Sequence, residues 1–227
     1  MRGTGASVAL SKKNIQRIYG APFIDGNIVT LVWKDKESFQ GIFDAIRQAK
    51  YLICLHFYIF RNDETGRELA GILKQKAAEG VRIYMIYDHF GSFTTPWKFW
   101  HELKLSGVQI RASRPFKWTA PFNYVHRDHR KLIIIDGIKA FTGGLNIANE
   151  YRGYHRFRKS AGWRDTGIFL EGPVVKKLYD EFRKSWEIWK GDPIPFEKSV
   201  PPLPHGLPIL TIFTRSARSR RNMRKLL

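Results

Sequence analysis

The sequence predicts an α/β fold, a layered α/β/α sandwich around a mixed central sheet, and three observations carry that prediction. Strand-like and helix-like hydrophobic periods alternate from about Gly26 to Trp189, as expected of a sheet covered by helices. Tyr51 to Phe60 is apolar and aromatic almost throughout, which suits a strand buried on both faces. Of the 227 residues 43% are hydrophobic, enough to bury a core and too many for a disordered chain.

The elements follow in order. Ile28 to Trp33 reads as a strand, and Phe39, Ile42, Phe43 and Ile46 recur at the spacing of one helix face. After the buried strand at Tyr51 to Phe60, Glu68 to Glu79 reads as a helix closed by Gly80, and Val81 to Tyr87 as the next strand. Thr95 and Pro96 look like an N-cap and first-turn proline opening a helix that ends near Gly107, before a short strand at Val108 to Ala112. Arg114 to Asp128, with two prolines and several aromatics, reads as a loop over a cleft. Lys131 to Asp136 and Ile138 to Phe141 are strands joined at Gly137, Thr166 to Leu170 is another, and Val174 to Trp189 is an amphipathic helix.

This pattern divides the chain into an N-terminal extension at 1–25, a compact domain at 26–190, a Pro-rich linker at 191–208 and a basic tail at 209–227. Six of the eleven prolines fall in the linker. The apolar run Ile209 to Phe213, followed by basic residues, looks like the start of a further half. No internal repeat stands out.

The formal charge is +19, which draws the chain to polyanions, either nucleic acid or an anionic lipid surface, in a salt-dependent way. The last thirteen residues carry six basic groups and no acid. A single cysteine, Cys54, excludes an intrachain disulfide and a multi-cysteine zinc site and fits a reducing compartment. No apolar run approaches the roughly 20 residues of a spanning helix, and Met1 to Lys13 lacks the apolar core of a signal peptide. The expected location is cytoplasmic.

The sharpest chemical signal is His129-Arg130-Lys131-Leu132-Ile133-Ile134-Ile135-Asp136, followed by Gly143-Gly144-Leu145-Asn146. On a strand, residues two apart share a side, so His129 and Lys131 would present an imidazole and an ammonium together. That pair suits phosphoryl chemistry, the imidazole attacking phosphorus while the cation offsets charge on the oxygens. The glycine pair would let backbone N–H groups approach a phosphate, with Asn146 adding an amide donor. Asp136, five residues beyond Lys131, leaves their shared face and suits a structural role. His126 and His129 form an H-x-x-H pair, but with no third ligand a phosphate contact or structural role fits His126 better than zinc; no metal or cofactor is expected. His56 reads as readily as a hydrogen-bonded core histidine as an active-site one. Trp97, Phe99 and Trp100 read as core more readily than as a bilayer-facing patch.

His129-x-Lys131-x-x-x-x-Asp136 with Gly143-Gly144-x-Asn146 resembles the HKD motif of the phospholipase D superfamily. Arg127-Asp128-His129-Arg130-Lys131, Ala140-Phe141-Thr142-Gly143-Gly144-Leu145-Asn146-Ile147-Ala148 and Gly162-Trp163-Arg164-Asp165-Thr166 resemble bacterial cardiolipin synthases in particular, as do Tyr58-Ile59-Phe60-Arg61 and Tyr87-Asp88-His89-Phe90-Gly91-Ser92. The likeness spans about Gly26 to Trp189, the first catalytic half of such an enzyme. It implies a metal-independent phosphatidyl transfer from phosphatidylglycerol to an alcohol through a phosphohistidine on His129. Lys131 and Asn146 would hold the phosphate, and Asp165 would orient the histidine. Partners then include the anionic phospholipid, the inner membrane surface to which the chain would attach peripherally, and a second HKD motif from a homodimer or a separate half. Two departures stand out: His56 occupies a position where these synthases usually carry a carboxylate, and the 227 residues hold one HKD motif. Alternatives are a homodimeric endonuclease acting on nucleic acid, or an inactive truncated half that only binds anionic surfaces.

Overall fold

A computed structural model describes residues 11–32, 35–116, 127–152, 165–195, 198 and 200–213. Among them eight strands form one mixed sheet in the order β4-β3-β2-β5-β6-β7-β1-β8. The strands are β1 (Ile24–Val32), β2 (Leu52–Phe57), β3 (Arg82–Asp88), β4 (Gln109–Ser113), β5 (Leu132–Ile135), β6 (Lys139–Gly143), β7 (Gly167–Glu171) and β8 (Leu207–Ile209). Only the β2–β3 and β3–β4 pairs are parallel, because helices connect those strands; the β2–β5, β5–β6 and β6–β7 pairs are antiparallel.

Helices cover both faces. On one side lie α2 (Asp35–Arg47), α3 (Glu64–Ala78) and α4 (Trp97–Leu105), whose Phe39, Phe43, Leu73 and Leu103 pack on Ile53, Leu55, Met85 and Ile133. On the other, α5 (Val174–Ile188) sets Val175, Leu178, Phe182 and Trp186 against Cys54, Ile86, Ile134 and Leu170. Alternate residues of β2 and β5 thus feed two cores, which is why both strands are apolar except at His56. The expected layered sandwich is what forms. Burial also pushes the Cys54 thiol well up from its ordinary value, with Arg82 opposing weakly.

Several local expectations change. A short helix α1 (Lys12–Tyr19), capped by Ser11 and left-handed Gly20, occupies the stretch read as an extension. Thr95 does not cap α4; Pro96 stands at the N-cap, and the Thr95 hydroxyl instead donates to the Phe60 carbonyl at 2.5 Å. The described part of the Pro-rich stretch is tied to the domain: Leu203 N–H donates to Gly26 O at 2.9 Å and Arg82 Nη1 to Pro195 O at 2.6 Å. Its strand lies at Leu207–Ile209, and it pairs antiparallel with β1 rather than standing alone. Pro208 is tolerated there because β8 is an edge strand.

Candidate active site

His129 and Lys131 sit at one end of β5, on backbone that is not strand. Residues 127–131 precede the ladder, so His129 and Lys131 are brought together by tertiary contacts rather than by strand alternation. The His129 ring stacks on Tyr58, with centroids 4.1 Å apart and planes at 23°. Lys131 Nζ lies 5.8 Å from the centroid of the same Tyr58 ring and donates to the His129 carbonyl at 2.8 Å. One aromatic ring therefore organises both groups, and His129 stays exposed. Half-burial lowers the Lys131 ammonium from its ordinary value, and the negative charges of Asp165 and Asp128 oppose that shift.

Tyr58 is fixed from below. The Asn146 carbonyl accepts from Ile59 N–H at 3.0 Å, Ile147 N–H donates to Ile59 O at 3.1 Å, and Arg61 N–H to Ile147 O at 2.9 Å. Asn146 is buried; in this structure it clamps the loop after β2 to the loop after β6.

The glycine pair acquires a different reason. The Gly144 N–H donates to Thr166 O at 3.1 Å, so it is committed to the chain beside it rather than open to a phosphate. A Cβ on Gly144 would stand 1.6 Å from Asp165 Oδ1, and one on Gly143 would stand 2.5 Å from Gly167 Cα. At Gly143 the close approach is to the backbone of β7, and at Gly144 it is to the side chain of Asp165 that precedes it. Asp165 accepts from Thr166 N–H at 3.0 Å and acts electrostatically on Lys131; among the described residues it makes no hydrogen bond to His129, the group the resemblance has it orient.

Asp136, the last residue of the motif, lies at the far end of β5, where its carboxylate is taken up by backbone. Its carboxylate accepts from Lys50 N–H at 2.8 Å, Tyr51 N–H at 2.7 Å and Leu52 N–H at 2.8 Å. His126 and Gly162 to Arg164 lie outside the described residues.

Sequence reading missed the partners that anchor the motif. Arg130 Nε donates to Asp128 Oδ1 at 2.7 Å, a second guanidinium nitrogen binds the other carboxylate oxygen, and Arg130 Nη2 also donates to Ser185 Oγ at 3.2 Å. His56 Nε2 lies 3.4 Å from Asp128 Oδ2, so the buried imidazole faces that carboxylate. Burial alone would raise the Asp128 carboxyl, but Arg130 and then His56 hold it well below the usual carboxylate range. The signal was present in the alternation: Asp128 and Arg130 interleave with His129 and Lys131 and turn towards α5.

A mixed sheet sandwiched by helices, with an exposed imidazole and an ammonium gathered at one strand end, defines a phospholipase D-like domain. Residues 42–186 match the family described as cardiolipin synthase, PLD-like domain, and the chain belongs to that family. Cardiolipin synthase A of Pseudomonas fluorescens (strain SBW25) is 36% identical over 191 residues, covering 84% of this chain and 39% of that protein. The Pseudomonas syringae pv. syringae protein of the same name is 40% identical over 166 residues, covering 73% and 34%. The chain thus spans little more than a third of the length of these relatives. In fold it is similar to phosphatidylserine synthase of Haemophilus influenzae Rd KW20 (TM-score 0.60, 14% identity, 95% of this chain and 47% of that one). It is also similar to Nuc, a phospholipase D family member from Salmonella typhimurium (TM-score 0.54, 17% identity, 71% and 95%).

Proposed function

We propose that this domain is one catalytic half of a cardiolipin-synthase-type phosphatidyltransferase, with His129 as nucleophile. The observation that carries the reading is the shared Tyr58 platform, which holds an exposed imidazole beside an ammonium. His129 attacks phosphorus, forming an N–P bond as the ester P–O bond to the alcohol breaks. Lys131, kept company by Asp165, offsets charge on the non-bridging oxygens. The departing alkoxide takes a proton from a second HKD histidine, supplied by another copy or a separate half. An acceptor hydroxyl, giving its proton to that second histidine, then attacks phosphorus, forming the new P–O ester bond as the N–P bond breaks and His129 is regenerated. The relatives' name favours phosphatidylglycerol as donor over a nucleic acid.

Attachment to an anionic bilayer would be peripheral. Among the described residues no helix is long and apolar enough to cross a membrane. Phe93 and Trp97 are 68% and 75% exposed while Phe99 and Trp100 are buried, so only part of the aromatic cluster read from sequence is core.

The first half-reaction is tested with the p-nitrophenyl ester of phosphatidic acid, whose leaving group departs without a proton. The chain should release one equivalent of p-nitrophenolate in a burst and carry a phosphatidyl adduct on His129 by mass spectrometry, with neither in His129→Ala. An adduct elsewhere, or a burst that survives in His129→Ala, would refute the assignment. Cleavage of DNA that is lost in His129→Ala, without lipid turnover, would establish the endonuclease reading instead.

A further inference from the structure

A cavity of about 870 Å³ lies between the β5–β6–β7–β1 part of the sheet, α5 and residues 209–213, and its lining includes His129 and Lys131. Its size is that of a small-molecule site. Its chemistry is divided. Leu132, Ile168 and Leu170 wall it on the sheet side, and Leu178, Ile188 and Trp189 on the helix side. The third wall, Ile209 to Phe213, is apolar but for Thr211.

Many of these apolar groups are incompletely covered by protein. Ile188 is 60% exposed, while Ile168, Ile209 and Phe213 are half-buried at the edge of the core. Apolar surface converging from three elements on one concavity marks a place for an apolar guest.

The other chemistry is cationic. Arg114, Arg127, Arg130 and Lys131 join His129 in the lining. The two acids present are both engaged by Arg130: Asp128 is hydrogen-bonded at 2.7 Å, and Glu181 lies 3.9 Å away. A guest that satisfies both regions has one anionic group and a long hydrocarbon part.

We propose that this cavity seats one alkyl chain of an anionic lipid whose phosphate lies at His129 and Lys131. This assignment rests on the phosphatidyl-transfer reading and adds to it a specificity determinant: the sheet, α5 and residues 209–213 select for chain length. The cationic part of the lining beside His129 and the three apolar walls favour a lipid chain over a flat protein partner.

The test is calorimetric titration of the full chain with dodecyl phosphate and butyl phosphate, both below micelle formation. Each buried methylene is worth roughly a factor of four in affinity, so dodecyl phosphate should bind about 100-fold tighter or more even when only half its extra chain is seated. Ile168→Trp, which fills the wall, should shrink that preference to about 3-fold while leaving butyl phosphate binding intact. Ile188→Gln, at an exposed position that tolerates a polar side chain in folding, should reduce it about 5-fold. Equal affinities for the two probes, or a preference unmoved by both variants, would overturn the proposal. So would sedimentation showing that Ile188→Gln merely dissociates a dimer while the chain preference persists, since a second copy would then own this face. A chain-length preference without a p-nitrophenolate burst would support the cavity and sink the transfer reaction; a burst without the preference would do the reverse.

Discussion

Replacing Asp136 separates a structural from a chemical role for the last residue of the HKD motif. Its carboxylate takes three backbone N–H groups from the turn that leads into β2, at 2.7 to 2.8 Å. Asp136 itself has φ +50°, a left-handed conformation that Asn and Asp adopt more readily than Ala. Lys50 and Tyr51 are exposed, so water can replace the carboxylate at their N–H groups. Leu52 is fully buried, and its N–H would be left without an acceptor. With one buried donor orphaned, two charge-assisted bonds exchanged for water and a strained Cβ, Asp136→Ala should cost about 3 to 6 kcal/mol. That is a large share of the roughly 5 to 15 kcal/mol by which domains are stable. Asp136→Asn keeps one oxygen for two of the donors and suits the same φ, so about 1 to 2 kcal/mol is expected.

Urea denaturation of both variants gives the stability differences, and the p-nitrophenolate burst per folded molecule gives the chemistry. The strand between Lys131 and Asp136 spans roughly 16 Å, so the burst should be unchanged wherever the variant is folded. An Asp136→Asn protein of native stability that lost the burst would refute this reasoning and return Asp136 to the reacting centre.

The two glycines give a paired contrast. Gly143→Ala meets backbone, Gly167 Cα at 2.5 Å, and should destabilise by about 2 to 3 kcal/mol, read as a fall in urea midpoint. Gly144→Ala meets the end of the Asp165 side chain, which can swing away. Its stability should change less, while the Lys131 ammonium, deprived of that charge, titrates lower still by NMR. A Lys131 titration unaffected by Gly144→Ala would remove Asp165 from the site. Acid stability tests the Asp128–Arg130 pair. The folded Asp128 carboxyl is held below its unfolded value of about 3.9, so the stability it contributes is present above that value and lost as pH falls through the folded one. Arg130→Met should cost roughly 3 kcal/mol at pH 7, and the deficit should shrink on acidification; a pH-independent deficit in thermal melts would show that the loss is packing alone.

The layers were legible in sequence because two signals are strong: a double-faced apolar strand at β2 and the helical spacing of Phe39, Ile42, Phe43 and Ile46, all buried as read. The motif was legible for the same reason, as side-chain types at fixed intervals. What was not legible depends on contacts between distant segments. The strand periodicity extrapolated through His129 and Lys131 fails because the ladder begins at Leu132, and the group that gathers them, Tyr58, is some seventy positions away in the chain. The glycine pair reads naturally as a phosphate cradle until the neighbouring strand is placed against it. β8 was hidden because three residues around a proline carry almost no periodic signal, and only its pairing with β1 reveals it.

The string Arg127 to Lys131 also explains how an unladdered segment holds the proposed nucleophile, His129, still. Backbone without strand partners has no hydrogen-bond register to fix it, so its side chains must do so. Here Asp128 and Arg130 bind each other and reach His56 on β2 and Ser185 on α5, tying the segment to two rigid elements. The alternate residues are left for chemistry on Tyr58. This arrangement also makes sense of His56, which stands where the resemblance leads one to expect a carboxylate. A second carboxylate there, about as close to Asp128 as the imidazole at 3.4 Å, would repel it and force one of the two to bind a proton. A histidine faces the same anion without repulsion whether or not it is protonated. In this chain the departure at position 56 and the acidity of Asp128 are therefore one solution, the buried half of a clamp whose exposed half is His129.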